Sequence, residues 1–199
     1  MVSCNDIISY LDAHYNFKGK ISDLSSNPKI TNQTEVYDYD KIKEHIYRNS
    51  RSVDVLLVKK NLNLIEFKTG FDSTLDSVNE KVKKENMALS IRVKAYESLH
   101  LLQTSIIDEA GDGSKLEDGI KIVFCAVIDT NEPIVADDAY VDILSDEGGI
   151  KEHKSLKVKL VENVMKIYRK ETDQHKKLFY DETFVLYDYE FDSKMSQFK

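Results

Sequence analysis

The stretch SVDVLLVKKNLNLIEFKTG, residues 52–70, predicts a β-hairpin that carries charged residues on both of its strands. Residues 53–58 are aliphatic except for Asp54, and residues 62–68 alternate in the manner of a returning strand. A turn near Lys60 would place Asp54 beside the end of the second strand. Because Glu66 and Lys68 are two residues apart, their side chains are expected on one face of the sheet. Two carboxylates and one ammonium group therefore converge at one end of the hairpin.

These three residue types suit the hydrolysis of phosphodiesters. Carboxylate oxygens are the protein ligands that Mg²⁺ and Mn²⁺ prefer, and both ions also bind phosphate oxygens. A bound metal ion lowers the pKa of water and offsets the charge that develops on the phosphate during hydrolysis. A neighbouring lysine can orient or deprotonate the attacking water, or stabilise that charge.

The pattern Asp54…Glu66-Phe67-Lys68 resembles the D…(D/E)xK signature of the PD-(D/E)XK nuclease superfamily. The resemblance implies an α/β fold with a restriction-endonuclease-like core, αβββαβ, in which helices flank a mixed central sheet. The core would span about residues 35–130, and residues 131–199 would add a helix and a strand within the same single domain, 1–199. Val53 stands where many members of the family have proline.

The resemblance also implies the roles of individual residues. Asp54 and Glu66 would be ligands of Mg²⁺ or Mn²⁺, and Lys68 would be the catalytic lysine. Many members carry a further acidic ligand on the preceding helix, for which Glu44 and Glu35 are both candidates. The expected activity is that of a metal-dependent nuclease, acting on DNA rather than RNA.

Basic residues after the hairpin are candidates for contacts with nucleic acid. Some relatives place a Gln- or Arg-and-Tyr motif on this helix, and Arg92, Lys94 and Tyr96 occupy comparable positions. Arg92, Lys94 and Lys84 are therefore expected to contact backbone phosphates. The basic stretch 151–177 is a second candidate surface.

The remaining patterns outline the rest of the α/β fold. Amphipathic periodicity predicts helices over 6–14, 40–48, 75–107 and 156–170. Turn residues predict a loop over 108–119. The other predicted elements are a buried strand over 120–128, an extended or irregular segment over 135–144, and a late strand over 184–191. Residues 29–39 are ambiguous and partly extended. The 75–107 region fits either one long helix or two helices separated near Glu85-Asn86.

The distribution of charge supports a competing hypothesis. The net charge is −7, which counts against a protein that binds nucleic acid through general phosphate attraction. Residues 101–150 have two Lys/Arg against twelve Asp/Glu, or −10, whereas residues 151–180 have nine against four, or +5. The chain could thus keep a nuclease-like scaffold without catalysis and act as a binding protein or inhibitor, for example in phage–host conflict. In a third interpretation, Asp54, Glu66 and Lys68 lie on a solvent-exposed face of the sheet and form a cross-strand ion pair.

Other features restrict the class of protein. Cys4 and Cys125 are too few for a disulfide framework, and the first residues lack the pattern of a secretory signal, so a cytoplasmic protein is expected. No apolar run is long enough to span a membrane. The five histidines lack zinc-ligand spacing. The sequence does not indicate an oligomeric state.

Overall fold

The computed structural model describes residues 1–69, 80–130 and 156–198 of the chain. It shows an α/β fold in which a six-stranded mixed sheet carries helices on both faces. The strands are β1 (Lys18–Lys20), β2 (Glu35–Asp38), β3 (Val55–Val58), β4 (Leu62–Lys68), β5 (Ile122–Ile128) and β6 (Glu182–Tyr187). The helices are α1 (Cys4–His14), α2 (Ile21–Leu24), α3 (Tyr39–Ile46), α4 (Glu80–Leu101), α5 (Asp108–Ala110), α6 (Leu156–Leu178) and α7 (Asp188–Lys194).

The strands lie in the sheet in the order in which they occur along the chain. β1 to β4 pair antiparallel, and β3 and β4 form the predicted hairpin, with Val55 opposite Ile65 and Val58 opposite Leu62. β5 pairs parallel to β4, and β6 pairs parallel to β5. Parallel neighbours require long crossover connections, which contain α4 and α6.

Each face of the sheet is covered by its own apolar core. One core joins the sheet to α1, α4 and α6, and it includes Leu62 and Leu64 of β4. The second joins the other face to α7 and the short 3₁₀ helix Met195–Phe198, and it includes Ile65 and Phe67. Coverage of both faces explains why β5 is apolar throughout, with all seven residues buried.

The C-terminal strand is shorter than predicted. The strand expected over 184–191 ends at Tyr187, and α7 begins at Asp188, so the prediction is wrong for its second half. Tyr187 and Phe191 are four residues apart, a spacing that suits a helix as well as an alternating strand. The backbone amide of Tyr187 donates to the Glu190 carboxylate at 3.0 Å, which closes the first turn of α7.

Several helix boundaries also differ from the predictions. α4 passes through Glu85-Asn86 without a break and is followed by a π-helical segment, Leu102–Ile107. α6 extends to Leu178, eight residues beyond the predicted end, because buried residues such as Thr172 and His175 continue its packed face. The first three residues of the loop predicted over 108–119 form α5. The predictions for residues 70–79 and 135–149 lie outside the described residues.

Candidate active site

Glu66 is the most deeply buried of the predicted site residues. It lies on β4, 1% exposed, on the same face as Leu62 and Leu64, so its carboxylate faces α4 and α6. The Lys94 ammonium group donates to both Glu66 oxygens, at 2.7 and 2.8 Å. A charged group in such a place is costly unless it is paired, and Lys94 on α4 supplies the pair. The interpretation of these residues as a solvated sheet face is therefore wrong for Glu66.

Asp54 is held beside Glu66 by the backbone on both sides of it. Its carboxylate accepts a hydrogen bond from the Phe67 amide at 2.6 Å, and its own amide donates to the Ile65 carbonyl at 3.1 Å. The Tyr39 amide donates to the Asp54 carbonyl at 2.9 Å. Asp54 thus stands at the junction of α3, β3 and β4, with its side chain directed along the end of β4.

Burial makes both carboxyl groups hard to ionise. It raises the pKa of Glu66 to about 8, and the negative charge of Asp54 adds to this effect. Burial likewise raises the pKa of Asp54 to about 6, although Lys94 and the hydrogen bond from Phe67 oppose the change. For Lys94, burial alone would lower the pKa, but the nearby Glu66 and Asp54 outweigh it and raise the pKa. The short contacts of Lys94 with Glu66 favour the ionised pair, and the raised carboxyl pKa values indicate that one proton is easily taken up by the two acids together.

Two further side chains act on these carboxyl groups. Lys68, the partly buried last residue of β4, shares the face of Glu66, and its charge lowers the pKa of both Asp54 and Glu66. Tyr168 of α6 is 1% exposed, and its pKa is raised by burial and by the charges of Glu66 and Asp54. Tyr168 is therefore held in its uncharged form close to the acids.

A third carboxylate reaches this site from the first turn of α3. Asp40 accepts a hydrogen bond from the Ser52 hydroxyl, and its charge raises the pKa of Asp54 and of Lys94. The sequence offered Glu44 and Glu35 for this position. Glu44 is exposed one turn further along α3, and Glu35 lies at the opposite end of β2, beside Val58 in a separate pocket. Asp40 was missed because it was interpreted only as the start of the helix predicted over 40–48, whereas α3 begins one residue earlier and is capped by Asp38, which accepts from the Lys41 amide.

The residues predicted to contact nucleic acid lie in different environments. Lys94 contacts Glu66 and is 23% exposed at its side chain. Arg92 is exposed on α4 and forms an ion pair with Glu171 of α6 at 2.7 Å. The Lys84 side chain lies outside the described residues. The sequence did not predict that Lys94 pairs with the buried Glu66, because Lys94 lies in a helix with several other basic residues.

The donor set is compatible with a hard divalent cation. Among residues 1–69, 80–130 and 156–198, no group of three or more His, Cys, Asp and Glu side chains is arranged to hold a metal ion. Asp54 and Glu66 nevertheless offer two carboxylates, and Mg²⁺ commonly binds through one or two carboxylates while keeping several waters. Counting Asp40, Asp54 and Glu66 against Lys68 and Lys94 leaves one negative charge when all five groups are ionised. A divalent cation would change that to one positive charge.

Comparisons with known proteins leave this geometry to be interpreted on its own. No protein-family model, no curated protein and no solved structure matches the chain. Within the part of the chain that the structure describes, every helix is too short or too polar to cross a membrane.

Proposed function

We propose that the chain is a Mg²⁺- or Mn²⁺-dependent nuclease of the PD-(D/E)XK type that hydrolyses phosphodiester bonds, with DNA as the expected substrate. The observation that carries the proposal is the meeting of Asp54, Glu66 and Lys68 at one end of β3 and β4. The order α1, β2, β3, β4, α4 and β5 supports it, since this is the αβββαβ order with β1 and α2 added before β2, α3 added between β2 and β3, and α5 added before β5.

The charges of the site suit the binding of a phosphodiester once a cation is present. Asp54 and Glu66 would hold the cation, which when bound activates water and offsets charge on the phosphate. Lys68 would place its ammonium group against the phosphate or the attacking water. Tyr168 and the surrounding apolar residues shield Glu66 from bulk water, which strengthens the electrostatic interactions of its carboxylate.

The proposal is tested by cleavage assays on linear, nicked and branched DNA and on RNA, in Mg²⁺ and in Mn²⁺. The wild type should cleave at least one substrate, and the Lys68→Ala variant should lose at least about a hundredfold in rate, in the range typical for removal of one electrostatic catalytic group. Lys60→Ala is the matched control, because Lys60 is exposed at the other end of the hairpin. Equal inactivity of the wild type and Lys68→Ala on every substrate would exclude the nuclease.

Two observations favour a second function, a catalytically inactive nuclease-like binding protein. Lys94 already neutralises both oxygens of Glu66, as a cation would. The described part of the acidic stretch also presents five exposed carboxylates: Asp108, Glu109, Asp112, Glu117 and Asp118. Such a surface could compete for the basic channel of a DNA-binding protein or nuclease.

Calorimetric titration with Mn²⁺ separates the two functions. A nuclease should bind the ion through Asp54 and Glu66, and the Asp54→Asn variant should bind it much more weakly. Absence of Mn²⁺ binding, together with capture of a nuclease or DNA-binding complex by the wild type, would favour the binding protein. The capture should then weaken when Glu117 and Asp118 are replaced by Asn or Gln.

A further inference from the structure

A pocket of about 610 Å³ lies beside α3, outside the cluster formed by Asp54, Glu66 and Lys94. It is lined by Phe17, Lys41, Glu44, His45 and Arg48. It is open to solvent rather than enclosed, so a ligand would lie in it partly exposed. None of these five side chains forms part of the proposed catalytic machinery.

The backbone places this pocket at the same edge of the sheet as the candidate active site. The Asp38 amide donates to the Phe17 carbonyl at 2.9 Å, and the next amide, that of Tyr39, donates to the Asp54 carbonyl at 2.9 Å. Two consecutive residues, Asp38 and Tyr39, therefore form the hydrogen bond to the pocket wall and the hydrogen bond to the site. α3 connects the two places, with Asp40 of its first turn at the site and His45 of its last turn at the pocket.

The pocket has the charge of an anion-binding surface in an acidic protein. Its lining carries two Lys/Arg, Lys41 and Arg48, against one Asp/Glu, Glu44, which gives +1, whereas the whole chain is −7. Lys41 contacts Asp38 at 2.9 Å, yet its side chain remains 61% exposed. Arg48 and His45 are both exposed at the mouth of the pocket. Phosphate groups are the chemistry that these donors suit.

The same pocket offers an aromatic surface. Phe17 is partly buried, and its ring centroid lies 6.3 Å from that of His45. Aromatic side chains that accompany cationic ones are the usual platform for unpaired bases, because every base presents a π-face. Bases inside an intact duplex are already stacked and paired, so they cannot occupy such a pocket.

We propose that this pocket binds an unpaired nucleotide of the substrate strand, with Lys41 and Arg48 at its phosphate and Phe17 against its base. This inference rests on the proposed nuclease function and adds a substrate class, namely nucleic acid with a single-stranded end or branch next to the cleaved bond. The pocket would fix the position of the strand relative to Asp54 and Glu66.

Fluorescence anisotropy in EDTA, where cleavage cannot interfere, tests the pocket directly. The probes are a single strand, a blunt duplex and a duplex with a single-stranded overhang, all of DNA. The wild type should bind the overhang and the single strand more tightly than the blunt duplex. Arg48→Ala should weaken that binding about fivefold and reduce the slope of log affinity against log salt by about one, as expected for loss of one phosphate contact.

Two further variants keep the test decisive. Lys59→Ala removes the same charge at the exposed tip of the hairpin and should leave affinity unchanged. Phe17→Leu keeps an apolar side chain and should selectively weaken binding to the unpaired probes.

The outcomes distinguish the pocket from the nuclease. If the wild type cleaves DNA but Arg48→Ala and Phe17→Leu bind every probe as tightly as Lys59→Ala and the wild type do, the pocket proposal is overturned and the nuclease proposal stands. If the variants lose affinity as expected but the wild type cleaves nothing, the nuclease is overturned and the pocket remains a nucleic-acid site. A wild type that binds none of the probes overturns the pocket.

Discussion

The Lys94 ammonium group lies 2.7 and 2.8 Å from the two carboxylate oxygens of Glu66, and the two residues are 28 positions apart in the chain. This contact joins α4 to β4 at the centre of the candidate active site. Because Lys94 contacts both oxygens, a metal ion bound to Glu66 would have to share or replace this contact. The pair therefore links the stability of the fold to the chemistry of the site.

Removal of Lys94 should destabilise the protein, because it leaves Glu66 buried without its cation. We expect Lys94→Met to lower the free energy of unfolding by about 3 kcal/mol at pH 8 or above, near the lower end for breaking a buried ion pair. The loss should be smaller near pH 6, where Glu66 can take up a proton. Urea denaturation at both pH values measures the effect, with Lys59→Met as the exposed control. An equal loss in both variants would show that the Lys94 contact contributes no specific stability.

Stability should fall as the pH rises through the neutral range. The pKa values of Asp54 and Glu66 are raised to about 6 and about 8, from ordinary values of 3.8 and 4.5. Between these limits the folded protein holds protons that the unfolded chain has released, so stability is full below about pH 4 and is lost as the pH rises through the folded-state values. Each such proton gives a slope of about −1.4 kcal/mol per pH unit.

The Glu66→Gln variant isolates this effect, because it cannot ionise at that position. The difference in unfolding free energy between Glu66→Gln and the wild type should grow in favour of the variant from pH 5 to pH 8. Denaturation curves over this range provide the measurement. Parallel stability profiles of the two proteins would contradict the raised pKa of Glu66.

Cation binding should compete with the same protons. Because a cation needs ionised ligands, we expect affinity for Mn²⁺ to be about tenfold or more higher at pH 8 than at pH 6. Calorimetry in buffers of different ionisation enthalpy should detect proton release on binding. Affinity that is independent of pH would place the ion away from Asp54 and Glu66.

Ser98 of α4 should matter for the position of Asp54. Its hydroxyl accepts a hydrogen bond from the Val53 amide at 2.9 Å, and the residue is fully buried. Ser98→Ala would leave that amide without a partner, at a cost of about 1–3 kcal/mol. Ser90→Ala on the same helix is the control and should change stability little. Thermal unfolding checks both variants, and a nuclease would also lose activity in Ser98→Ala alone.

Local pattern was sufficient to predict much of the fold. Alternation indicated the hairpin, a continuous apolar run indicated β5, and a periodicity of about 3.6 residues indicated α1, α3, α4 and α6, whereas the short helices α2, α5 and α7 were not predicted. The same periodicity correctly separated Glu66 from Ile65 and Phe67, which lie in the core on the opposite face of the sheet. The strand predicted over 184–191 was wrong beyond Tyr187, because the four-residue spacing of Tyr187 and Phe191 fits a strand and a helix equally well.

What the sequence by itself determined is therefore the longer helices, the hairpin and β5, together with the face on which each charged residue of the hairpin lies, since these follow from the geometry of neighbouring residues. Only the tertiary structure decided which distant groups join Asp54 and Glu66. Asp40, Lys94 and Tyr168 reach them from three different helices. The amphipathic pattern of a helix indicates which face packs on the sheet, but the packing of the whole core decides which distant side chains that face meets.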